Sequence, residues 1–512
     1  MKNRHSIFMA VVLAFVLVFS TWTIAGAAAD EQNPWASFDT SQEVNLVLYA
    51  VGTKGPDHER VIALVNERMK ELINTTIDVE IIPLSDFQTR YPLVLAGGDD
   101  VDMIITHPRI GPFSTNADNG AFLALTEDFL NQWMPETMKS QAPMSWRQSM
   151  YKGNLYYVPR NQSDYEQAYG VVVIKELREK YGIPEIKTVD EFEQYLFAVA
   201  KGEQGTGLFA FYANPTLPIS WVFLNSVNNW LGFGSVSWDA DNPGRINPDD
   251  IFIPALTPEY REYCLRMANW AKEGVWPSNA ITNVTHTGDL FKEGKSASDI
   301  CNYKAANADM VEMEKQGKTA EYFCLMPDTA NTRISPYGND GLAITYFSKH
   351  PERAALAIDV MKNDKIINNL LQGGIEGEHY ILNADNTHSN GPNYEGYPWG
   401  SWAWCLRSQL NPTEGGLYPE VTAMRAKYDS MNIDPDRFTI DGFTFDNTGL
   451  EAESALINSL NQEWSASFDL GVFGDETDAK LDEYVALLKE AGIEKILQAT
   501  KDQLAQFLAD NY

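Results

Sequence analysis

The sequence predicts an α/β fold built on mostly parallel sheets, and three observations carry that prediction. The first is the order of elements after residue 42: strand 43–53, helix 58–73, strand 77–84, helix 86–98 and strand 101–106. The second is that the strands (VNLVLYAV, IDVEIIPL, VDMIIT) read as apolar runs, which implies burial on both faces beneath flanking helices. The third is that the alternation continues down the chain with no internal repeat and no low-complexity linker.

Each element has its own signal. Residues 30–42 are a polar lead-in, and in 58–73 the apolar Val61, Leu64, Val65, Met69 and Leu72 recur at helical spacing. Residues 153–161 are strand-like, and 169–182 is a strand running into a helix stopped by Gly182. Thr188 followed three residues later by Glu191 is a capping box opening the next helix. GLFAFYANPTLP, 207–218, reads as a strand with a polar end at Tyr212 and Asn214. The 257–274 helix has a threonine cap and a glycine stop. SASDI (296–300) and EYFCLMP (321–327) read as strands around a helical stretch, and 344–364 as a strand followed by a helix entered through Pro351. The last 28 residues, 485–512, are helical with one break at Gly492.

Open α/β sheets bind ligands beyond the carboxyl ends of their strands. Three such ends are legible: Val51 to Lys54 including Thr53, Ser85 to Phe87, and the run Thr106, His107, Pro108, Arg109.

The N-terminus reads as a secretory leader over residues 1–29. Lys2 and Arg4 precede an apolar run at 7–19, and small residues at 25–29 supply an Ala27-x-Ala29 type cleavage site. The run is shorter than the ~20 residues of a spanning helix, so the processed chain is expected to be exported and soluble, at the cell-envelope face or in the periplasm. The formal charge is −31, and it falls to about −33 once Lys2 and Arg4 leave. A field of that sign repels nucleic acid and anionic lipid. The length suggests two or three domains at ~100–200 residues each. Cys264, Cys301, Cys324 and Cys405 form no CxxC. They read either as disulfide partners or as buried thiols, and the spacing argues against metal ligation.

Taken together, several segments resemble the extracellular solute-binding proteins of ABC importers, of the maltose- and oligosaccharide-binding type. They are YPLVLAGGDDVDMIIT, NGAFLALTEDFL, KGNLYYVP, VVIKELREKYGI, LFKEGKSA, SKHPERAALAIDVMKND and GGIEGEHYIL, followed by GFTFDNTGLEAE and LKEAGIEKILQATKDQL. More narrowly the chain resembles an LplA-like lipoprotein branch with a DUF3502-like C-terminal region, although no cysteine follows the leader to carry a lipid. The resemblance implies a two-lobed periplasmic-binding-protein fold of type II with a ligand cleft between the lobes. One lobe would hold residues 43–168 and 302–365, the other 169–301 and 366–512 with the C-terminal helices. Crossings would fall near Tyr169, at 300–302 and before Gly373. It further implies a monomer that captures a carbohydrate and meets permease subunits, with no enzymatic activity, cofactor or metal.

Sugars present apolar ring faces and a rim of hydroxyls, which call for aromatic planes and short planar polar groups. By position within the resemblance, the expected ligand contacts are Thr53, Thr106, Arg109, Tyr212, Asn214, Trp221, Asn302, Tyr303, Trp404, Phe445 and Asp446. Several have a structural alternative: Arg109 as an ion pair, Trp221 and Trp404 as core, Asp446 as a helix cap. YPWGSWAWC, 397–405, holds three tryptophans at a spacing that suits neither a helical face nor a clean strand. GGIEGEHY carries three glycines in five residues, so its backbone needs positive φ or close approach, at a tight turn or a crevice wall. DADNPGRINPDD, 239–250, has Pro243 where a calcium loop needs a ligand, and reads as a solvated turn. The alternative from another class is an exported polysaccharide hydrolase with an aromatic cleft and a carboxylate pair. No GxSxG elbow or HExxH supports it.

Overall fold

The computed structural model describes residues 33–97, 101–106, 113–161, 164–165, 169–215, 235–236, 246–325, 334–335, 340–397, 404–408, 410–431 and 443–511. The leader, Arg109 with His107, Trp221, Trp399 and most of the 239–250 segment lie outside the described residues.

Eight strands organise the two lobes: β1 (Val44–Val51), β2 (Thr75–Ile82), β3 (Met103–Thr106), β4 (Val158–Pro159), β5 (Tyr169–Ile174), β6 (Ser298–Asn302), β7 (Ala320–Phe323) and β8 (Gly341–Ile344). The first sheet has the order β2-β1-β3-β8-β4. Its β2, β1 and β3 are parallel, and β8 runs antiparallel to both β3 and β4. The helix His58–Ile73 crosses from β1 to β2 and buries Val61, Val65, Met69 and Leu72 on one side, the periodicity read from sequence. Leu64 of that set is exposed.

The second sheet has the order β7-β5-β6, and β5 is antiparallel to both neighbours. The expectation of mostly parallel sheets therefore holds for β1–β3 and differs here. The reason is topological: β5 enters from the first lobe, whereas β6 and β7 run back toward the entry point. GLFAFYAN differs too. It makes an isolated parallel bridge, Phe209 with Ser296, instead of a regular strand. The Thr188–Glu191 capping box is present, and Thr257 caps the Pro258–Lys272 helix.

Two cores divide the chain. One joins β1–β4 and β8 to the helices Pro351–Asn363 and Lys365–Gly373 and to Tyr397, Trp404 and Leu406. The other joins β5 and β6 to the helices Val189–Gly202, Pro258–Lys272, Glu451–Asp469 and Thr477–Glu490. The helix Tyr303–Lys315 packs with β6 and β7 in the second body. This division departs from the boundaries inferred by resemblance. Residues 303–325 pack with the second lobe because β7 pairs with β5, and 366–408 pack with the first because their apolar side chains cover the His58–Ile73 helix side. The crossings accordingly fall at 160–169, 325–340 and 408–418. The first two pair with each other as a two-stranded antiparallel ribbon, Asp164–Tyr165 with Ile334–Ser335.

All four cysteines are buried free thiols. No helix among the described residues is long and apolar enough to cross a membrane.

Candidate functional site

The carboxyl edge of the first sheet and the crossings are the same place. β3 ends at Thr106, paired in register with Gly341 at the start of β8, and Gly341 also faces Pro159 at the end of β4. Arg160 and Asp340 continue those strands directly into the crossings. In the second lobe β5 starts at its crossing end, so the ends of β6 (Asn302) and β7 (Phe323) come to that same end. Residues 209–214 run alongside β6, tied by the Ser298 hydroxyl donating to the Ala210 carbonyl (2.7 Å), so Tyr212 and Asn214 point the same way.

The expected contact residues divide by exposure. Thr53 follows β1 and is exposed, as is Asp446, whereas Tyr212, Asn302 and Phe445 are half-buried. Tyr212 donates its backbone N–H to the Ser296 hydroxyl (2.8 Å), and its ring meets Phe209 edge-on at 5.3 Å. Asn302 caps the Tyr303–Lys315 helix by accepting from the Lys304 and Ala305 N–H groups. Asp446 accepts from the Thr448 N–H and hydroxyl, and those bonds hold its carboxyl below the usual range. It therefore caps a turn, not the helix that starts at Glu451.

Four others are buried. Thr106 faces the buried phenol of Tyr91. Asn214 donates to the Thr285 carbonyl (3.0 Å), and Tyr303 belongs to the second lobe's core beside Cys301 and Met310. Trp404 lies in the first lobe's core, its ring 6.4 Å from His58 and nearly parallel to it. All four are enclosed within their own lobes in this structure.

GGIEGEHY is a turn after a helix. Lys365–Gly373 ends and Gly374 takes φ +78°, where an added Cβ would meet His379 Nδ1 at 2.4 Å. The Ile375 N–H donates to His379 Nδ1 (2.9 Å), so the ring carries its proton on Nε2 and donates it to Asp57 (3.0 Å). That bond is the main cause holding Asp57 below the usual carboxylate range. The motif thus fastens the turn to the His58–Ile73 helix inside the first lobe.

Two groups escaped the sequence reading. Lys152 and Gly153 both have positive φ, 48° and 75°, and form the two-residue turn of a hairpin between Tyr151 and Asn154. Lys152 pairs with Asp118 (3.1 Å), Tyr151 donates to the same carboxylate (3.0 Å), and the Lys152 charge reaches Asp446 of the other lobe. The positive-φ turn KGN was the available signal. The second group is Asp340 between Arg160 (3.1 Å) and Arg407 (3.0 Å), all three buried. They stand at the first-lobe ends of three different crossings. Single charges placed straight after apolar residues (VPR, CLR) were its only trace in the sequence.

A model of the family described as bacterial extracellular solute-binding protein matches residues 56–366. A second model, domain of unknown function (DUF3502), matches residues 439–509. A carbohydrate ABC transporter substrate-binding protein of Streptococcus pneumoniae serotype 4 is 20% identical over 490 residues, 92% of each chain. Among solved structures, the N-glycan transport solute binding protein NgtS of Streptococcus pneumoniae, in complex with Man1GlcNAc, is similar with TM-score 0.71 and 14% identity. The match covers 91% of this chain and 100% of that one. The alginate-binding protein AlgQ2 is similar with TM-score 0.62 and 17% identity, over 92% and 99% of the two chains.

Proposed function

The chain belongs to the bacterial extracellular solute-binding protein family, and from that premise we propose that it captures an oligosaccharide between its lobes by hinge closure and hands it unchanged to the permease subunits of an ABC importer. The observation that carries this reading is the ribbon of Asp164–Tyr165 with Ile334–Ser335. It joins two bodies, each with its own core, at the edge where strand ends from both converge. A short backbone pairing between two cores is the kind of element that absorbs a closing rotation.

The ligand class rests on two supports. The structural relatives are an N-glycan transport protein in complex with Man1GlcNAc and an alginate-binding protein. The expected contacts that stay open or half-open (Thr53, Tyr212, Asn302, Phe445, Asp446) supply aromatic rings and short polar groups, the side chains a sugar calls for. Arg109 joins them by its position in the family pattern, and Trp221 as a further expected contact with core packing as its alternative. The protein works as a monomer outside the cytoplasm after its leader is removed, and it performs no bond cleavage.

Calorimetry against panels of neutral and uronic-acid oligosaccharides, with small-angle scattering of the free and bound protein, tests the proposal. The expected result is saturable 1:1 binding, a smaller radius of gyration in the complex, and an oligosaccharide recovered intact by chromatography. Tyr212→Ala should weaken binding roughly 30-fold while leaving the unfolding midpoint near that of the parent. Cleaved products would replace the importer reading with a hydrolase. Absence of binding across the panels would remove the carbohydrate assignment.

A further inference from the structure

The second lobe contains one buried group of acids away from the converging strand ends. Asp299 and Cys301 are two apart on β6, so they share one face, and the Tyr303–Lys315 helix lies on that face and adds Asp309. One ligand atom from each of the three lies within 4.8 Å of the others. Burial is nearly complete, with Asp299 0% exposed, Asp309 3% and Cys301 5%. Cys301 Sγ stands 3.8 Å from Asp309 Oδ2. Among the described residues, neither carboxylate oxygen of Asp299 meets a hydrogen-bond donor.

A carboxylate taken fully out of water is kept charged only by a paired cation or a set of donors. The cation that faces this group is Lys292, at the end of the Thr287–Lys292 helix, and it is engaged at the surface by Asp289 (2.9 Å). Two carboxylates and a thiolate carry three negative charges. A divalent ion together with Lys292 cancels them.

We propose that Asp299, Cys301 and Asp309 form a structural binding site for a zinc-class divalent cation in the second lobe. The donor set argues for that class. A thiolate disfavours the hard ions calcium and magnesium, whereas zinc takes sulfur and carboxylate oxygen together. Three protein ligands leave one corner of a tetrahedron for a water or a neighbouring oxygen. The pattern D-x-C-x7-D has no paired cysteines, which is why cysteine spacing alone points away from metal. Its position also matters: Asn302 and Tyr303 lie between the ligands, so a bound ion would stiffen the start of the helix that Asn302 caps.

The test uses the full chain, stripped with chelator under reducing conditions and then given Zn2+ or Co2+ alone. The expected result is one equivalent of Zn2+ retained after desalting, an unfolding midpoint raised by several degrees, and a thiolate-to-Co2+ charge-transfer band. Cys301→Ser should abolish the band, and Asp299→Asn should lose the retained equivalent. In chelator Asp299→Asn should unfold no earlier than the parent, because the amide removes the buried charge without changing shape. The proposal is overturned if the parent shows neither band nor midpoint shift, which would leave a proton shared between the two carboxyls. It is equally overturned if metal uptake is unchanged in both variants, which would place the ions on the acidic exterior.

Discussion

The two lobes bury charge in opposite ways. In the first, Asp340 is flanked by Arg160 and Arg407, with Lys362 nearby donating to the Pro159 carbonyl (2.6 Å). Both signs are present, and burial pushes the Lys362 amine down to about 7, against the opposing pull of Asp340. In the second, Asp299, Cys301 and Asp309 are all of one sign. The difference separates two uses of a buried charge. A mixed cluster holds protein segments to one another, here three crossings, while a cluster of one sign is completed from outside the chain. Burial alone distinguishes neither, and only the partners do.

Removing Asp340 tests the first half of that contrast most severely. Asp340→Ala leaves two buried guanidinium groups facing each other, and the expected loss is about 3–5 kcal/mol in urea unfolding. A loss below ~1 kcal/mol would show that the triad holds nothing together.

Asp469 offers an intermediate case, a half-buried acid of the second lobe with a donor, the Tyr263 hydroxyl at 2.8 Å. Burial outweighs that bond and raises its carboxyl to about 6. Between pH 4 and 6 the folded chain therefore keeps a proton that the unfolded chain has released. Its stabilising contribution is present at about pH 4 and disappears as the pH rises to about 6, a change of roughly 3 kcal/mol. Asp469→Asn keeps an acceptor for Tyr263 without the titration. The difference in unfolding free energy between parent and variant should vary across that window and be flat above it; a constant difference would rule the assignment out.

The smallest effect belongs to the surface. Lys272 pairs with Asp475 at 3.0 Å with both side chains largely in water. Lys272→Ala should cost less than ~1 kcal/mol, and less again in high salt. A larger loss would mean that exposure is a poor guide to what a charge contributes in this protein.

How much of this was legible in the sequence depended on range. Helix starts are local chemistry, and Thr188 with Glu191, Thr257, and Pro351 all stand where the residues put them. The opening β-α-β-α-β run was equally readable, because its three strands form one parallel group with β1 between β2 and β3. The lobe boundaries were not. They depend on β7 pairing with β5 across more than 140 residues, and no periodicity reports such a partner. Alternating apolar residues in GLFAFYAN bury Phe211 and Ala213 as a strand would, yet only one bridge forms, since pattern reads burial and not hydrogen bonding. At the candidate site, Thr53, Tyr212, Asn302, Phe445 and Asp446 lie open or half-open. Trp404 and Tyr303 were drawn into cores by neighbours, His58 and Met310, that are distant or unremarkable in the sequence.

The second lobe begins at residue 169 but is walled by Ile457, Trp464, Phe468, Leu481 and Tyr484, which stack against Tyr260, Cys264 and Met267. A ribosome must therefore deliver nearly the entire polypeptide before that half can solidify. Until the final helices emerge, the aromatic faces waiting for them stay wet and the segment remains pliable. The folded shape of that half thus becomes available only once residues 451–490 have joined residues 169–301.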